Sequence, residues 1–291
     1  MIESRSSPLI FIPLIFILLL ISACDKPAAE NIVIRIGTYN VQNMFDDCDD
    51  PGKSDDPPTP DTRLRALASV IVDIDCDIIA LQEVENIEIL EKFNDEYLSG
   101  MYNQIILVEG NDPRGIDVAV LSRLNISEIN SYRDYQINTA DHGTIHFSRD
   151  LLAVKWLAPD GQQWNILTTH LKSGATDVDV EKRTLQARAI AGICSADGYV
   201  SFLGRGNTIL LGDLNAEPWA EDLQAISSVP FSDPAKDLPY RQTHRSGKVL
   251  DYILLAPGAD THYMISSFTI YREGLTEIAS DHYPIYLDLQ F

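Results

Sequence analysis

Basic residues are scarce in this chain. Its 291 residues carry 22 Lys and Arg against 43 Asp and Glu, a formal net charge of −21 at pH 7. A surface this acidic repels polyanions at long range and argues against a sequence-reading DNA-binding protein, whose footprint is a basic patch. It leaves open an enzyme that grips one phosphate through a metal ion. Cysteine is sparse too, four in all, and no CxxC pair or Cys/His cluster suggests a zinc site. No serine or cysteine elbow is present, so covalent acyl transfer has no visible nucleophile. There is no internal repeat. The acidic stretch "DDCDDPGKSDDPPTPD" lacks the Gly and Glu spacing of an EF-hand and reads as a solvated loop.

Long apolar runs are absent except at the N-terminus. Arg5 precedes thirteen apolar or Pro residues, Leu9 to Ile21, and small residues then lead to Cys24. This is a signal peptide's layout, short and sharply terminated for a spanning helix. The ending "ISAC" resembles a bacterial lipoprotein signal, which implies removal of residues 1–23, lipidation of the Cys24 thiol and a tether over 24–32. The alternative is an uncleaved membrane anchor. Either way the remainder is expected outside the cytoplasm, in a bacterial cell envelope. Removing the signal takes away one Glu and one Arg, so the whole excess charge belongs to the mature part. Cys48, Cys76 and Cys194 remain; in an oxidising envelope Cys48 and Cys76, nearest in sequence, are candidates for a bridge.

Length and an apolar share of 45% allow one large core, and one domain is expected. "NIVIRIGTYNV" reads as a strand, and Leu64, Leu67, Ala68, Ile71 and Ile74 fall on one helical face. The strand "DIIALQEVEN" follows, then a short helix from Ile87 capped by Asn86. "NQIILVE", "GIDVAVLSR", "LLAVKWL" and "WNILTTHLK" are further strands, and residues 180–193 have helical composition. "TILLGDLN", a helix after Pro218, "VLDYILLA", "SFTIYR" and "YPIYLDLQF" complete the order. Strands outnumber helices without one-for-one alternation, which favours two packed sheets with helices outside over a doubly wound parallel sheet.

The strands share one feature: they run out into polar residues. Asn40, Glu83, His170, Asp213 with Asn215, and Asp281 with His282 all stand at or just beyond the end of an apolar run. Ligand sites gather where strand ends bring loops together. Singly, each has a structural explanation, as a turn residue, a helix cap or a satisfied core histidine. Asp251 is harder to dismiss, since a carboxylate flanked by Leu and Tyr in a strand is costly to bury without a partner, for which a histidine is suited. Together the groups suit phosphoryl chemistry. Glu83, Asn40 and Asp281 offer oxygen ligands to a hard dication. Asn215, His170 and His282 offer donors to phosphoryl oxygens, and Asp213 can take a proton from water or hold that water in line.

"TYNVQNMF", "LQEVEN", "RGIDVAVLSR", "TTHLKSG", "LLGDLNAEP", "LDYILL" and "SDHYPI", in this order, resemble the successive motifs of the endonuclease/exonuclease/phosphatase superfamily, which includes deoxyribonuclease I and exonuclease III-type enzymes. They span the chain from about residue 34 to its end. The resemblance implies one catalytic domain over 33–291, a four-layered α/β sandwich of two packed, mostly antiparallel sheets flanked by helices. It implies Mg²⁺ or Mn²⁺ at Glu83 with Asn40 and Asp281 nearby. Asp213 and Asn215 would flank the attacking water and the phosphate. His282 would contact the phosphate or act as base, oriented by Asp251. His170 matches the family's second histidine, and Asp117 the carboxylate that pairs with it.

Substrate choice is narrowed by what is missing. Inositol polyphosphate phosphatases of this superfamily carry a Tyr-Arg after Asp-x-Asn and a Cys-Asp-Arg in place of "LDYILL"; this chain has neither. No apolar aromatic loop suggests the membrane-docking hairpin of the sphingomyelinase type. "LDYILL" and "LQEVEN" look nuclease-like, so the resemblance implies a metal-dependent phosphodiesterase, a nuclease acting on extracytoplasmic nucleic acid as a monomer. A phosphatase or lipid phosphodiesterase, or a silent binding lipoprotein, are the alternatives. Arg114, Lys172, Lys182, Arg183 and Arg188 are candidates for a basic strip along a substrate backbone, with Arg114, Lys172 and Arg188 the expected substrate contacts.

Overall fold

Residues 31–48, 57–139, 143–195 and 207–291 are described by the computed structural model of the protein. The signal-like segment, Cys24 and nearly all of the tether lie outside the described residues. The described elements all belong to one compact unit, Ile32–Phe291.

The chain begins with β1 (Val33–Met44), and α1 (Asp61–Ile74) buries the predicted Leu64, Leu67, Ala68, Ile71 and Ile74 before Asp75 ends it in the left-handed conformation, φ 51°. Next come β2 (Ile78–Val84) and α2 (Ile87–Glu96), whose cap is the expected Asn86, accepting from Ile89 N at 2.9 Å. Then follow β3 (Gln104–Leu107), β4 (Asp117–Ser122), β5 (Ile126–Ser131) and the two-residue strands β6 (Ile137–Asn138) and β7 (Thr144–Ile145). After β8 (Leu151–Leu157) and β9 (Gln163–His170), α3 (Asp177–Cys194) opens on a capping box between Thr176 and Asp179. The remaining elements are β10 (Thr208–Asp213), α4 (Gln224–Ser227), β11 (Asp251–Leu255), α5 (Pro257–Asp260), β12 (Thr269–Ile270), α6 (Thr276–Ala279) and β13 (Ile285–Gln290).

Two mixed sheets result, one in the order β12-β13-β1-β2-β4-β3 and one in the order β11-β10-β9-β8-β5. β1 and β2 run parallel, as do β9 and β10; the other pairings within these sheets are antiparallel. Between the sheets, Ile36, Ile78 and Val120 share a core with Trp156, Ile166 and Leu211. A second core packs α1 and α2 against the outer face of the first sheet, and a third packs α3 and α4 against the second. This is the expected four-layered sandwich. Strands covered on both faces, such as β4 and β10, are buried at every residue, which is why their sequences read as continuous apolar runs.

Several local expectations change. The helix after Pro218 is a 3₁₀ turn, Glu221–Leu223, running into the single turn of α4. "SFTIYR" pairs over only two residues, and β5 is invisible in the sequence because its polar, edge-exposed residues have no apolar period. Cys48 is exposed while Cys76 is buried, and no bridge joins them. Among the described residues no helix is long and apolar enough to cross a membrane. At the end where β9 begins, Trp156, Trp164 and Phe291 pack ring against ring, with centroids 5.3–5.9 Å apart. The opposite end is polar.

Candidate active site

Strand direction decides what that polar end contains. β1, β2, β9 and β10 all finish there, and their antiparallel neighbours β4, β11 and β13 start there. Asn40 and Glu83 stand near the ends of β1 and β2, His170 and Asp213 close β9 and β10, and Asp117 and Asp251 open β4 and β11. His170, Asp213 and Asp251 are direct neighbours across three strands. Asp281 and His282 precede β13.

Asp213 is the hub. Its Oδ2 accepts from Asn40 Nδ2 at 3.0 Å, a bond that crosses from one sheet to the other. His170 Nε2 lies 3.4 Å from the same oxygen and 3.9 Å from Glu83 Oε1, and His282 Nε2 is 3.8 Å from Asp213 Oδ2. His282 Nδ1 is 2.8 Å from Asp251 Oδ2. Asn40 Nδ2 also reaches Glu83 Oε1 at 3.3 Å, and Glu83 Oε2 accepts from Asn43 N at 2.9 Å. Just beneath, Thr38, Gln82 and Thr168 form a second polar stitch between the sheets.

The backbone bends to make this possible. Glu83 has φ 67° and sits where the β2–β4 register shifts, so a bulge turns its carboxylate away from the regular pleat. Gln42 and Asn43 are also left-handed, at φ 55° and 54°. Gly212, with φ 130°, passes so close to β9 that a Cβ there would collide with the Thr169 carbonyl oxygen. Asp213 and Asn215 do not share one strand face. β10 stops at Asp213, Asn215 turns left-handed (φ 53°), and its N–H donates to Asp213 Oδ1 at 2.8 Å. Its amide Nδ2 donates to Leu171 O at 3.1 Å.

Burial separates the protonation states. Desolvation, reinforced by Asp251, pushes the Asp213 carboxyl up to about 7 against the pull of His282. Burial opposes charge on His282, but Asp251 and Asp213 outweigh it and raise its pKa to about 10. His170 goes the other way: burial and then the nearby Arg149 hold it well below the usual histidine range, so it is neutral at pH 7. The site thus offers a carboxyl poised to exchange a proton, a cationic imidazole and a neutral one.

Other groups, not singled out from sequence, complete the arrangement. His244 Nε2 lies 3.3 Å from Asp281 Oδ2, and its ring stands against that of His282. Thr243 Oγ1 accepts from the N–H groups of Leu250 and Asp251, fixing the start of β11. Ser280 Oγ donates to Asn40 O, and Asp281 N to Gln42 Oε1, which hooks the residues before β13 onto the end of β1. No helical or strand period marks His244, Thr243 or Ser280; the only sequence signal is their nearness to "LDYILL" and "SDHYPI".

Asn40, expected beside the metal, has its carbonyl oxygen accepting from Gln42 N at 2.9 Å and turns its Nδ2 toward Glu83 and Asp213. Asp117 Oδ1 accepts from Gly110 N at 2.6 Å, and His170 Nδ1 has no hydrogen-bond partner among the described residues. Arg183 belongs to no surface strip, being buried against Asp222 between α3 and the 3₁₀ turn. Of the expected substrate contacts, Arg188 is exposed on α3, Lys172 Nζ lies 3.2 Å from Asp179, and Arg114 Nε lies 3.3 Å from Asp112. Arg114 and Lys172 line one cavity, in which Arg149, absent from the sequence reading, is the buried cation.

A hard dication fits this donor set. The carboxylates of Glu83, Asp213, Asp251 and Asp281 crowd one mouth, and oxygen donors of this kind suit a hard cation. The Glu83 and Asp281 side chains are 16% and 36% exposed, within reach of an ion from solvent, whereas Asp213 and Asp251 are fully enclosed.

Residues 37–282 match the profile of the Endonuclease/Exonuclease/phosphatase family. Comparison with curated protein sequences finds no match. Among solved structures the chain is similar to the human Nocturnin catalytic domain with bound sulfate anion, at 17% identity and TM-score 0.60, over 89% of this chain and 96% of that one. It is similar to D. rerio TDP2 complexed with single strand DNA product, at 18% identity and TM-score 0.60, over 88% and 98%. A mannosyl-6-phosphatase from Bacteroides thetaiotaomicron is similar at 15% identity and TM-score 0.56, over 89% and 100%. These likenesses speak for the fold, and the profile match spans the strand ends that carry the site. By its sequence, its sandwich and its clustered carboxylates and imidazoles, the chain belongs to the Endonuclease/Exonuclease/phosphatase family, hydrolases of phosphate esters.

Proposed function

We propose that the protein is a divalent-metal-dependent phosphodiesterase that cuts nucleic acid outside the cytoplasm, held at the envelope by a lipid on Cys24. The observation that carries this reading is the convergence on Asp213 of Asn40, His170 and His282, with Glu83 and Asp251 behind them. The nuclease-like "LDYILL" and "LQEVEN" favour nucleic acid, and the single-stranded DNA product held by the similar D. rerio protein accords with it.

Mg²⁺ or Mn²⁺ held by Glu83, with Asp281 as a second oxygen donor, would draw charge from the phosphoryl oxygens. Asn40 and Asn43 keep Glu83 in place for that task. Asp213 takes the proton of the attacking water, for which a carboxyl near 7 is well matched at neutral pH. His282, already protonated, is unsuited to the base role that the resemblance left open. Its Nε2–H faces the phosphate site, with the charge developing in the transition state opposite it and the Asp251 carboxylate behind it. Neutral His170 and the Asn215 amide flank Asp213 and fix the orientation of the ester.

The test is turnover by the detergent-solubilised mature chain on plasmid, single-stranded DNA, RNA, inositol phosphates and sphingomyelin, with Mg²⁺, Mn²⁺ or EDTA. Cleavage of nucleic acid that EDTA stops is expected. Release from inositol or lipid esters alone would overturn the nuclease reading in favour of a phosphatase or lipid phosphodiesterase, and metal binding without turnover would point to a binding protein.

A further inference from the structure

The cavity beside His170 has a charge opposite to that of the molecule. It measures about 440 Å³, and Arg114, Arg149, Lys172 and Lys182 line it against one carboxylate, Asp112. In a chain with nearly twice as many acids as bases, four cations around one hollow is a local inversion. Asp112 is shared, its Oδ2 lying 2.6 Å from Arg149 Nε and its Oδ1 3.3 Å from Arg114 Nε, so it offsets only one of the two guanidinium charges. Lys172 is met by Asp179 at 3.2 Å, and Lys182, exposed on α3, makes no ion pair among the described residues.

The walls are built in advance. Gln186, buried on α3, accepts from Lys172 N at 3.0 Å and donates to Ser148 Oγ at 2.9 Å and to His146 O at 3.2 Å, joining the two loops that face each other across the cavity. The cavity also adjoins the catalytic groups. Leu171 O, one residue beyond His170, accepts from Arg149 Nη1 at 3.0 Å and from Asn215 Nδ2 at 3.1 Å. An anion held by Arg149 is therefore next in line to a phosphate at Asn215 and Asp213. Guanidinium groups suit a phosphate's geometry, and their surplus charge here suits a dianion better than a chain diester. The volume is at the small-ligand end of the range and holds a nucleotide-sized group, not a duplex.

We propose that this cavity binds a terminal phosphate of the substrate beside the ester being cut, so that the enzyme prefers short single strands with a phosphorylated end; the inference rests on the phosphodiesterase reading above. The test compares matched single-stranded oligonucleotides carrying a 5′-phosphate, a 3′-phosphate or neither, cut by the full mature chain. It is paired with calorimetric titration of pyrophosphate into the EDTA-treated protein. One phosphorylated oligonucleotide is expected to have kcat/KM about tenfold or more above the unphosphorylated one, and Lys182→Ala with Arg114→Ala should bring the ratio close to one. Lys236→Ala, on a different surface, should leave it unchanged. Equal cleavage of all three oligonucleotides, or a preference that survives both substitutions, overturns the inference and leaves the phosphodiesterase standing. Pyrophosphate binding that the substitutions abolish, without hydrolysis of any oligonucleotide, supports the cavity's role and overturns the nuclease. Absence of both overturns both.

Discussion

The imidazole of His244 stands edge-on to that of His282, their centroids 4.6 Å apart at 73°. The two residues are bridged through their backbones, and His244 also meets Asp281. This pair brings the 243–248 turn, the strand start at Asp251 and the residues before β13 into one unit. Ser246 N donates to His244 Nδ1 at 3.0 Å, which leaves Nε2 as the protonated nitrogen facing Asp281. His244→Ala should lower kcat about tenfold while KM and the thermal midpoint change little, as expected of a group that steadies a charged imidazole. Steady-state kinetics beside a melting curve checks it; a large loss of stability would assign His244 a structural role.

The Asp251–His282 pair makes stability depend on pH in a definite direction. The folded pKa of His282 is raised to about 10, above the unfolded value near 6.5, so its contribution is complete below about pH 6.5 and is lost as pH climbs toward 10. The stability difference between wild type and His282→Gln, measured by urea unfolding in EDTA, should therefore be largest at pH 6 and shrink steadily to pH 10.

Asp213 likewise weakens the fold as pH rises, but through a cost of burial and not through a contribution lost. Its raised carboxyl is easier to bury protonated, so the ionised form costs stability progressively as pH rises from about 4 through 7. Asp213→Asn should cut the rate by about 10²-fold or more and yet melt higher than wild type at pH 8. Calorimetry and an initial-rate assay on one preparation decide it.

Glu83 is expected to set the metal requirement. Glu83→Gln keeps an acceptor for the Asn43 N–H but removes the charge, so the Mg²⁺ concentration for half-maximal rate should rise by about tenfold or more, and titration of Mg²⁺ into the EDTA-treated variant should show the same shift.

Gly212 tests the backbone beneath the site. With φ 130° and the Thr169 carbonyl against it, Gly212→Ala should destabilise by more than about 3 kcal/mol in a urea titration, since neither strand can retreat without moving Asp213 and His170.

Much of the fold is legible in the sequence because strands obey a simple period. Continuous apolar runs mark β2, β4, β9, β10 and β11, and the polar residues just past them have to lie near one another once strand directions are set. The order of seven motifs supplies those directions. Other features depend on partners far along the chain. Arg183 reads as a surface cation because nothing near it reveals Asp222, thirty-nine residues on. Asp117 reads as a partner of His170, but that pairing depends on where the loop at Gly110 comes to rest. His244 lies in a turn whose bridge to His282 leaves no periodic trace, and the bulge at Glu83 is an inserted step in pairing that composition does not record. The 3₁₀ turn after Pro218 shows the same limit, since propensity suggests a helix and packing against α3 truncates it.

Glu83, Gln42, Asn43 and Asn215 all hold left-handed backbone around one mouth, a conformation costing about 1–3 kcal/mol apiece for residues with a side chain. Replacing them with glycine would relax the chain and surrender the groups that the bends exist to aim. Anyone hardening this protein against heat should therefore work at the tryptophan-lined pole, where side chains answer only to packing, and leave the kinked rim as it is.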